Sequence, residues 1–333
     1  MLICCMYVIG AILPHTKLFG GVRRFFELGE RFIQQGHQMI ILTPEGLPPE
    51  WFHFSGKMDR LENMQQHHFT ALFITETVFI NELLLANALL KIFYHVIPTA
   101  KIDKILQHKE ITIFVNSTSS FEYVKKRYGI ELIKQIGGIN LPAQTKDLHQ
   151  PEDVFTIMCY GRLSRKKKGT RIVVKAAEKL HRLGYPVKLL LYDTPIDEKS
   201  KQLINNFHPK APFEFVLNHP VDKNDELFKR ASVFVAVERK AGWTNTAAEA
   251  MASGIPVIGT DIGTKDFLIP NETGIVVKRY AYFVRKALEK LINDKALRIK
   301  LGENGRRKIE AFSWDILANN ILAFIAQKIG NKS

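Results

Sequence analysis

Residues Ala236–Thr264 read AVERKAGWTNTAAEAMASGIPVIGTDIGT. A strand entering through VFVAV ends near Val237. A loop containing Gly242 then carries Trp243 and the hydroxyl and amide residues Thr244, Asn245 and Thr246. An Ala-rich helix spans 245–253, and the apolar strand IPVIGT follows. Strand, loop, helix and strand in this order make a βαβ unit, because parallel strands need a crossover between them. The unpaired N–H groups and the dipole at the helix start form a site for phosphate. Ala247, Ala248, Ala250 and Ala252 allow close approach by a neighbour, and Glu249 is the only charge among them. The plainer alternative has Thr244 or Asn245 capping the helix and Glu249 facing solvent.

A second segment with the same grammar lies upstream. In FTIMCYGRLSRKKKGTRIVVKAAEKLHRLGYPVKLLLYD a strand ends at Tyr160. A loop with Arg162, Arg165, Lys166, Lys167 and Lys168 runs through Gly169 into a helix over about 170–183, and another apolar strand closes the unit. Guanidinium and ammonium groups at the C-terminal edge of a strand suit a diphosphate, Arg as a bidentate donor and Lys as a point charge. The alternatives are a solvated basic loop or a patch for nucleic acid or anionic lipid.

The alternation extends in both directions. A helix from 197, the strand FEFVL and the helix DELFKRA lead to VFVAV. In the first half, residues 2–13 read as a strand, and residues 20–36 as a helix with Phe25, Leu28, Phe32 and Ile33 on its apolar side. QMIILT, 71–75, 91–96 and 111–116 read as further strands, with 45–70 less readable. Apolar strands without polar alternation are those of a sheet covered on both faces. The polar stretch Asn140–Asp153, with two prolines and no periodicity, reads as a linker. The expectation is α/β, two Rossmann-like doubly wound domains, over 1–146 and 147–313, with a last helix over 314–333.

Composition narrows the function. Of 333 residues 46% are apolar, which excludes a disordered chain, and 14 Pro with 21 Gly exclude a linker-rich one. Cys4, Cys5 and Cys159 sit in apolar runs, arguing against a disulfide framework and for a reducing compartment. The opening LICCMYVIGAIL reads as a buried strand rather than a signal peptide, since no positive residue precedes it. No apolar run reaches the length of a spanning helix. The net charge of +14 points to an anionic partner, and residues 147–333 hold +11 of it. His53, His67 and His68 lack metal-ligand spacing, and His37 reads as closing a helix-to-strand turn. No Asp-x-Asp pair occurs, so no metal is expected.

Together these segments resemble the nucleotide-sugar-dependent glycosyltransferases of the GT-B fold, specifically the retaining family 4, or group 1, enzymes. The resemblance rests on five segments in order: GGVRRFFELGERFIQQGHQMIILTP from Gly20, YGRLSRKKKG from Tyr160, AAEAMASGIPVIGT from Ala247, NETGIVV from Asn271, and ENGRRKIEAFSWDILANNIL from Glu303. It implies two domains facing across a cleft, with the last helix returning to the first.

It also implies roles. Arg162 and Lys168 would hold the donor diphosphate, with Lys167 as a substitute because the loop is one residue longer than usual. Glu249 would bind the ribose hydroxyls, and Thr244, Asn245 and Thr246 would complete the phosphate site. Gly20 and Gly21 would let donor or acceptor approach the backbone, and His95 would face the transferred sugar unless it is a structural histidine. The family's other glutamate falls at position 241, where this chain has Ala241. Its contact with the sugar is lost, moved to Glu238, or supplied by Asn245.

The implied reaction is metal-independent, with positive charge stabilising the departing diphosphate and no cofactor beyond the nucleotide-sugar co-substrate. The implied acceptor is a glycan, glycolipid or other lipid-linked hydroxyl, and the implied setting is cytoplasmic, peripheral at the inner face of an anionic membrane. No nucleic-acid partner is expected, since the basic run has no aromatic interleaving. The rival readings are a nucleotide-sugar epimerase of the same fold and a non-catalytic sugar-nucleotide-binding relative.

Overall fold

The computed structural model describes residues 6–96, 102–195 and 197–330; Cys4 and Cys5 lie outside them. The chain forms two compact units. One comprises Met1–Gly138 and Phe312–Ser333, the other Ile139–Ala311.

The first unit runs β1 (Val8–Ile12), α1 (Gly20–Gln34), β2 (Gln38–Thr43), β3 (Lys57–Arg60), β4 (Phe69–Ile74), α2 (Ile80–Leu85), β5 (Ala88–His95), β6 (Ile111–Val115), α3 (Thr118–Tyr128) and β7 (Ile133–Lys134). The second runs β8 (Phe155–Tyr160), α4 (Thr170–Arg182), β9 (Val187–Asp193), α5 (Glu198–Asn205), β10 (Phe213–Leu217), α6 (Asn224–Phe228), β11 (Val233–Ala236), α7 (Asn245–Ala252), β12 (Val257–Gly259), β13 (Ile275–Val276), α8 (Ala281–Asn293) and α9 (Lys295–Glu310). α10 (Trp314–Gly330) then completes the first unit.

Both sheets are parallel throughout, in the orders β3-β2-β1-β4-β5-β6-β7 and β10-β9-β8-β11-β12-β13. Strand order reverses direction between β1 and β4 in one sheet and between β8 and β11 in the other, and ligands of doubly wound sheets bind at the carboxyl ends of such reversals. The central strands are apolar because both of their faces are covered, whereas the edge strands β3, β7 and β10 are partly exposed. In β4, Ala71 and Phe73 enter one buried cluster and Leu72 and Ile74 another, the period of two of a pleated strand.

Helix α1 is buried almost all round: α10 packs on it, and Phe26, which the expected apolar stripe omits, is buried against the rings of Trp51, Phe52 and Phe54. Burial extends to charges. Arg24 donates from Nη1 to the Tyr94 hydroxyl at 2.9 Å, and its guanidinium lies 5.0 Å from the Tyr94 ring centre and 5.5 Å from that of Trp314. Arg23 and Arg31 hold the Glu27 carboxylate at 3.1 and 2.9 Å. Paired in this way, the charges escape most of the cost of desolvation.

Two expectations are corrected. The stretch 140–153 is docked onto the second unit: the Lys146 N–H donates to Ser253 O at 2.9 Å, and its ammonium to Ala231 O at 2.7 Å. The chain changes unit earlier than position 146, after Gly137 and Gly138. Both have φ near +108°, a region that side chains avoid, and a Cβ on Gly138 would fall within 2.4 Å of two Trp314 ring atoms. The last helix begins at Trp314, the position expected, after a break at 311–313 where Ser313 Oγ accepts from the Ile316 N–H at 3.2 Å. The unreadable 45–70 holds β3 and a short 3-10 helix, Leu61–Gln66.

Trp314 is 2% exposed. Trp314→Ala should therefore lower unfolding free energy by about 3–5 kcal/mol in denaturant titration, and an undiminished midpoint would refute its anchoring of α10. At the β3 edge, the Asn63 amide (2.7 Å) foremost, with His67 (2.8 Å) and Lys57 (3.1 Å), holds the Asp59 carboxyl well below the usual carboxylate range. A carboxyl depressed in the folded state stabilises above its unfolded value and stops doing so as pH falls through its folded one. Below about pH 4 the melting temperature of the wild type should therefore fall more steeply than that of Asp59→Asn.

Candidate functional site

The second sheet's reversal point is built from the ends of β8 and β11. After β8, the Gly161 N–H donates to Tyr192 O at 2.8 Å and the chain turns into Arg162. That side chain is buried: Nε donates to Asp193 Oδ1 at 2.7 Å, and Nη2 to the Tyr160 hydroxyl and to Thr194 O. The basic loop then closes in a short 3-10 turn, Lys166–Lys168, and reaches Gly169 at φ +83°. A Cβ there would lie 2.4 Å from Val237 O, so only glycine permits the loop to rest on the end of β11.

That contact places Lys168 over Glu238. The ammonium donates to Oε1 at 2.7 Å and Oε2 at 2.9 Å, and the Glu238 side chain is 4% exposed. Arg279 ties the same junction, donating from Nε to Val237 O at 2.8 Å and from Nη2 to Lys166 O at 2.7 Å. Desolvation first, then its cationic neighbours Lys168, Arg165 and Lys240, lowers the pKa of Lys167.

Beyond β11, the Thr244 N–H donates to Gly263 O at 2.8 Å and its hydroxyl to Ile262 O at 3.3 Å. Thr244 occupies the cap position of α7 but makes no side-chain cap. The first N–H groups of α7, at Asn245 and Thr246, have no helical acceptor, as at any helix start, and both residues are half-buried. Glu249 does not face solvent: it is buried, and Asn224 Nδ2 donates to its Oε2 at 3.3 Å. Ala241, where the resemblance expects a glutamate, is half-buried at the loop, with its Cβ close to Gly263.

Arg162, Lys167, Lys168, Glu238, Thr244, Asn245, Thr246 and Glu249 thus share one edge of the second sheet. In the first unit, Gly20 and Gly21 begin α1 and His95 ends β5 with 1% exposure. A Cβ added at Gly21 would meet only Val96, at 3.8 Å, so packing does not demand glycine there. His37 is structural: its Nδ1 accepts from the Tyr7 N–H at 3.2 Å, and burial lowers its pKa.

The sequence reading overlooked Asp193, Tyr192, Tyr160 and Asn224. Asp193 and Tyr192 end the strand beside β8, a position from which the VKLLLYD run gave notice. Burial raises the pKa of Asp193 against the opposing Arg162 guanidinium. Its Oδ2 and the Tyr192 hydroxyl are buried without a hydrogen-bond partner, an arrangement that suits a bound polar group. Burial pushes the Cys159 thiol up to about 12, leaving it no role as a thiolate. Among the described residues, no group of three or more His, Cys, Asp or Glu is placed to hold a metal ion.

The family described as "Glycosyl transferases group 1" matches residues 142–308, which contain this whole edge. The Staphylococcus aureus capsular polysaccharide biosynthesis glycosyltransferase CapM is 30% identical over 190 residues, 54% of this chain and 48% of that protein. The chain spans about half the length of that curated relative and less of the next, 35%. Among solved structures, sucrose-phosphate synthase from Thermosynechococcus elongatus superposes with a TM-score of 0.81 at 18% identity, covering 98% of this chain and 100% of that one. Anabaena Alr3699/HepE in complex with UDP-glucose does so with 0.75 at 12% identity, covering 96% and 100%. These likenesses extend over both sheets and share the two-sheet GT-B fold. The chain belongs to the group 1 glycosyltransferases.

Proposed function

We propose that the protein transfers a sugar from a nucleotide-diphosphate-sugar donor to a hydroxyl of a glycan or glycolipid, with retention of anomeric configuration and without a metal or other cofactor. The observation that carries this reading is the convergence of Arg162, Lys168, the start of α7 and the buried Glu249 on the reversal point between β8 and β11. Arg162, Lys168 and the Asn245 and Thr246 N–H groups take the diphosphate, with Lys167 beside them. Glu249, an acceptor-only carboxylate, takes the ribose hydroxyls. In the first unit, His95 and the Gly20–Gly21 start of α1 keep the sugar and acceptor roles that the resemblance gives them. CapM and the UDP-glucose complex of HepE support the class of donor and acceptor by likeness.

In this reading the bond from the sugar's anomeric carbon to the diphosphate breaks, and preorganised cations stabilise the charge left on the phosphate. The acceptor oxygen bonds to the same carbon from the same face, and its proton passes to a phosphate oxygen. Glu238, held by Lys168, is a positioning residue for that ammonium. Contact with the transferred sugar falls to Asn245 or is absent at Ala241. The charge excess suits a peripheral contact with an anionic membrane, and among the described residues no helix is long and apolar enough to cross one.

The first test is thermal shift with UDP-, GDP-, ADP- and TDP-sugars, followed by product analysis. One donor should stabilise, by about 2.7 kcal/mol at a hundredfold excess over its Kd, and the shift should vanish in Lys168→Ala and Glu249→Ala. A shift with an isomerised sugar and no acceptor would make the protein an epimerase. A shift without turnover would make it the binding-only relative that Ala241 suggests. No shift with any donor overturns the reading.

Asp193→Ala should cost about 3 kcal/mol of stability, since it strips a buried guanidinium of its charge partner. Asp193→Asn, which keeps the shape, should fold and lose turnover more than donor affinity. Unchanged kcat would remove Asp193 from the role of positioning Arg162.

A further inference from the structure

Helices α4 and α8 pack side by side on the second unit, and their outer faces carry a feature that the transfer reaction does not use. The exposed positions of α4 include Arg171, Lys175, Lys179 and Arg182. Spaced by four, four and three residues, they form one cationic stripe. The acid on this helix, Glu178, is half-buried and accepts from the Lys210 N–H at 2.9 Å. Beside the stripe, α8 begins with three aromatic rings in the open: Tyr280 is 66% exposed, Tyr282 58% and Phe283 38%. Their rings gather, Phe283 lying 6.3 Å from Tyr280 and 5.3 Å from Tyr282.

Cations frame this cluster. The Lys278 ammonium lies 5.8 Å from the centre of the Phe283 ring, and the Arg285 guanidinium 5.4 Å from that of Tyr282. Glu289 is the nearest acid and is engaged by Arg285 and by Lys286 at 3.0 Å. Next to Tyr280, Arg279 lines a cavity of about 120 Å³ at the α4 start together with Arg162, Arg165 and Gly169, so that cavity belongs to the sheet edge described above and the lipid-facing cations are those further along α4. Exposed aromatic rings cost solvation that a soluble surface ordinarily avoids. Tyrosine, with an apolar ring and a polar tip, suits the boundary between headgroups and hydrocarbon. Lysine and arginine around such rings are attracted to anionic headgroups.

We propose that the α4–α8 face docks onto an anionic lipid bilayer, with Tyr280, Tyr282 and Phe283 entering the interface and the Lys175–Lys179–Arg182 stripe meeting the headgroups. This locates the peripheral contact read above and is independent of the transfer chemistry.

Flotation with vesicles of phosphatidylcholine alone, and of phosphatidylcholine mixed with phosphatidylglycerol, tests it. The protein should float with the anionic vesicles only and be released by salt. Lys175→Glu with Lys179→Glu, and separately Tyr282→Ser with Phe283→Ser, should each weaken flotation by at least about fivefold. Both pairs lie outside the donor edge and should keep a donor-induced thermal shift. Unaltered flotation of either pair, equal binding to neutral vesicles, or tighter binding of a single-stranded oligonucleotide at the same salt would overturn the docking face. Loss of donor shift in the wild type would count against the transferase reading alone.

Discussion

The approach of Gly169 to the Val237 carbonyl is the constraint on which the donor edge depends. With a Cβ excluded at 2.4 Å, the basic loop lies directly on the end of β11 instead of arching over it. Three consequences follow from one missing side chain. Lys168 reaches both oxygens of Glu238, the Arg239 N–H donates to Lys167 O at 2.9 Å, and Arg279 bridges loop and strand. The loop's positive charge is therefore fixed at the sheet reversal before any ligand arrives. Such preorganisation makes charge stabilisation effective in a site of low dielectric.

The resting site keeps its cations compensated. Arg162 rests on Asp193 and Lys168 on Glu238, so neither is an isolated buried charge, which would be costly. In the proposed reaction a diphosphate would compete for groups that are already oriented, beside Asp193 Oδ2 and the Tyr192 hydroxyl, which are buried without hydrogen-bond partners. The same logic shapes the first unit, where Arg24 is sandwiched by Tyr94 and Trp314 and tied to the Tyr94 hydroxyl. Tyr94 in turn donates to Gln135 O, in the segment just before the Gly137–Gly138 crossing. Helix α10 is thus held by a cation, two rings and a hydrogen bond converging at one place.

Charge on the second unit divides by position. At the sheet edge Arg162 and Lys168 are each paired with an acid, whereas the cations along α4 are exposed and in one stripe. The first set is suited to a compact multivalent anion and the second to an extended one. The +11 of residues 147–333 is thus distributed over two separate surfaces.

The sequence by itself determined the parallel α/β character of both units, because a strand covered on both faces is apolar at every position and such runs as VKLLLYD and ITIFV can be read locally. It also determined the two loop-to-helix turns that carry Arg162, Lys168 and the α7 start, since glycine and N-terminal helix chemistry are written in adjacent residues. Only the tertiary structure decided that Asp193 holds Arg162 from 31 positions away, that Glu238 is committed to Lys168, and that Glu249 is buried. It alone docked 140–153 onto the second unit and moved the unit boundary to Gly137–Gly138. The physical reason is common to all of these: each depends on partners distant in the chain that a parallel sheet brings to one edge. The signal for the unit boundary, the positive φ of Gly137 and Gly138, gains its meaning from the Trp314 ring packed against it.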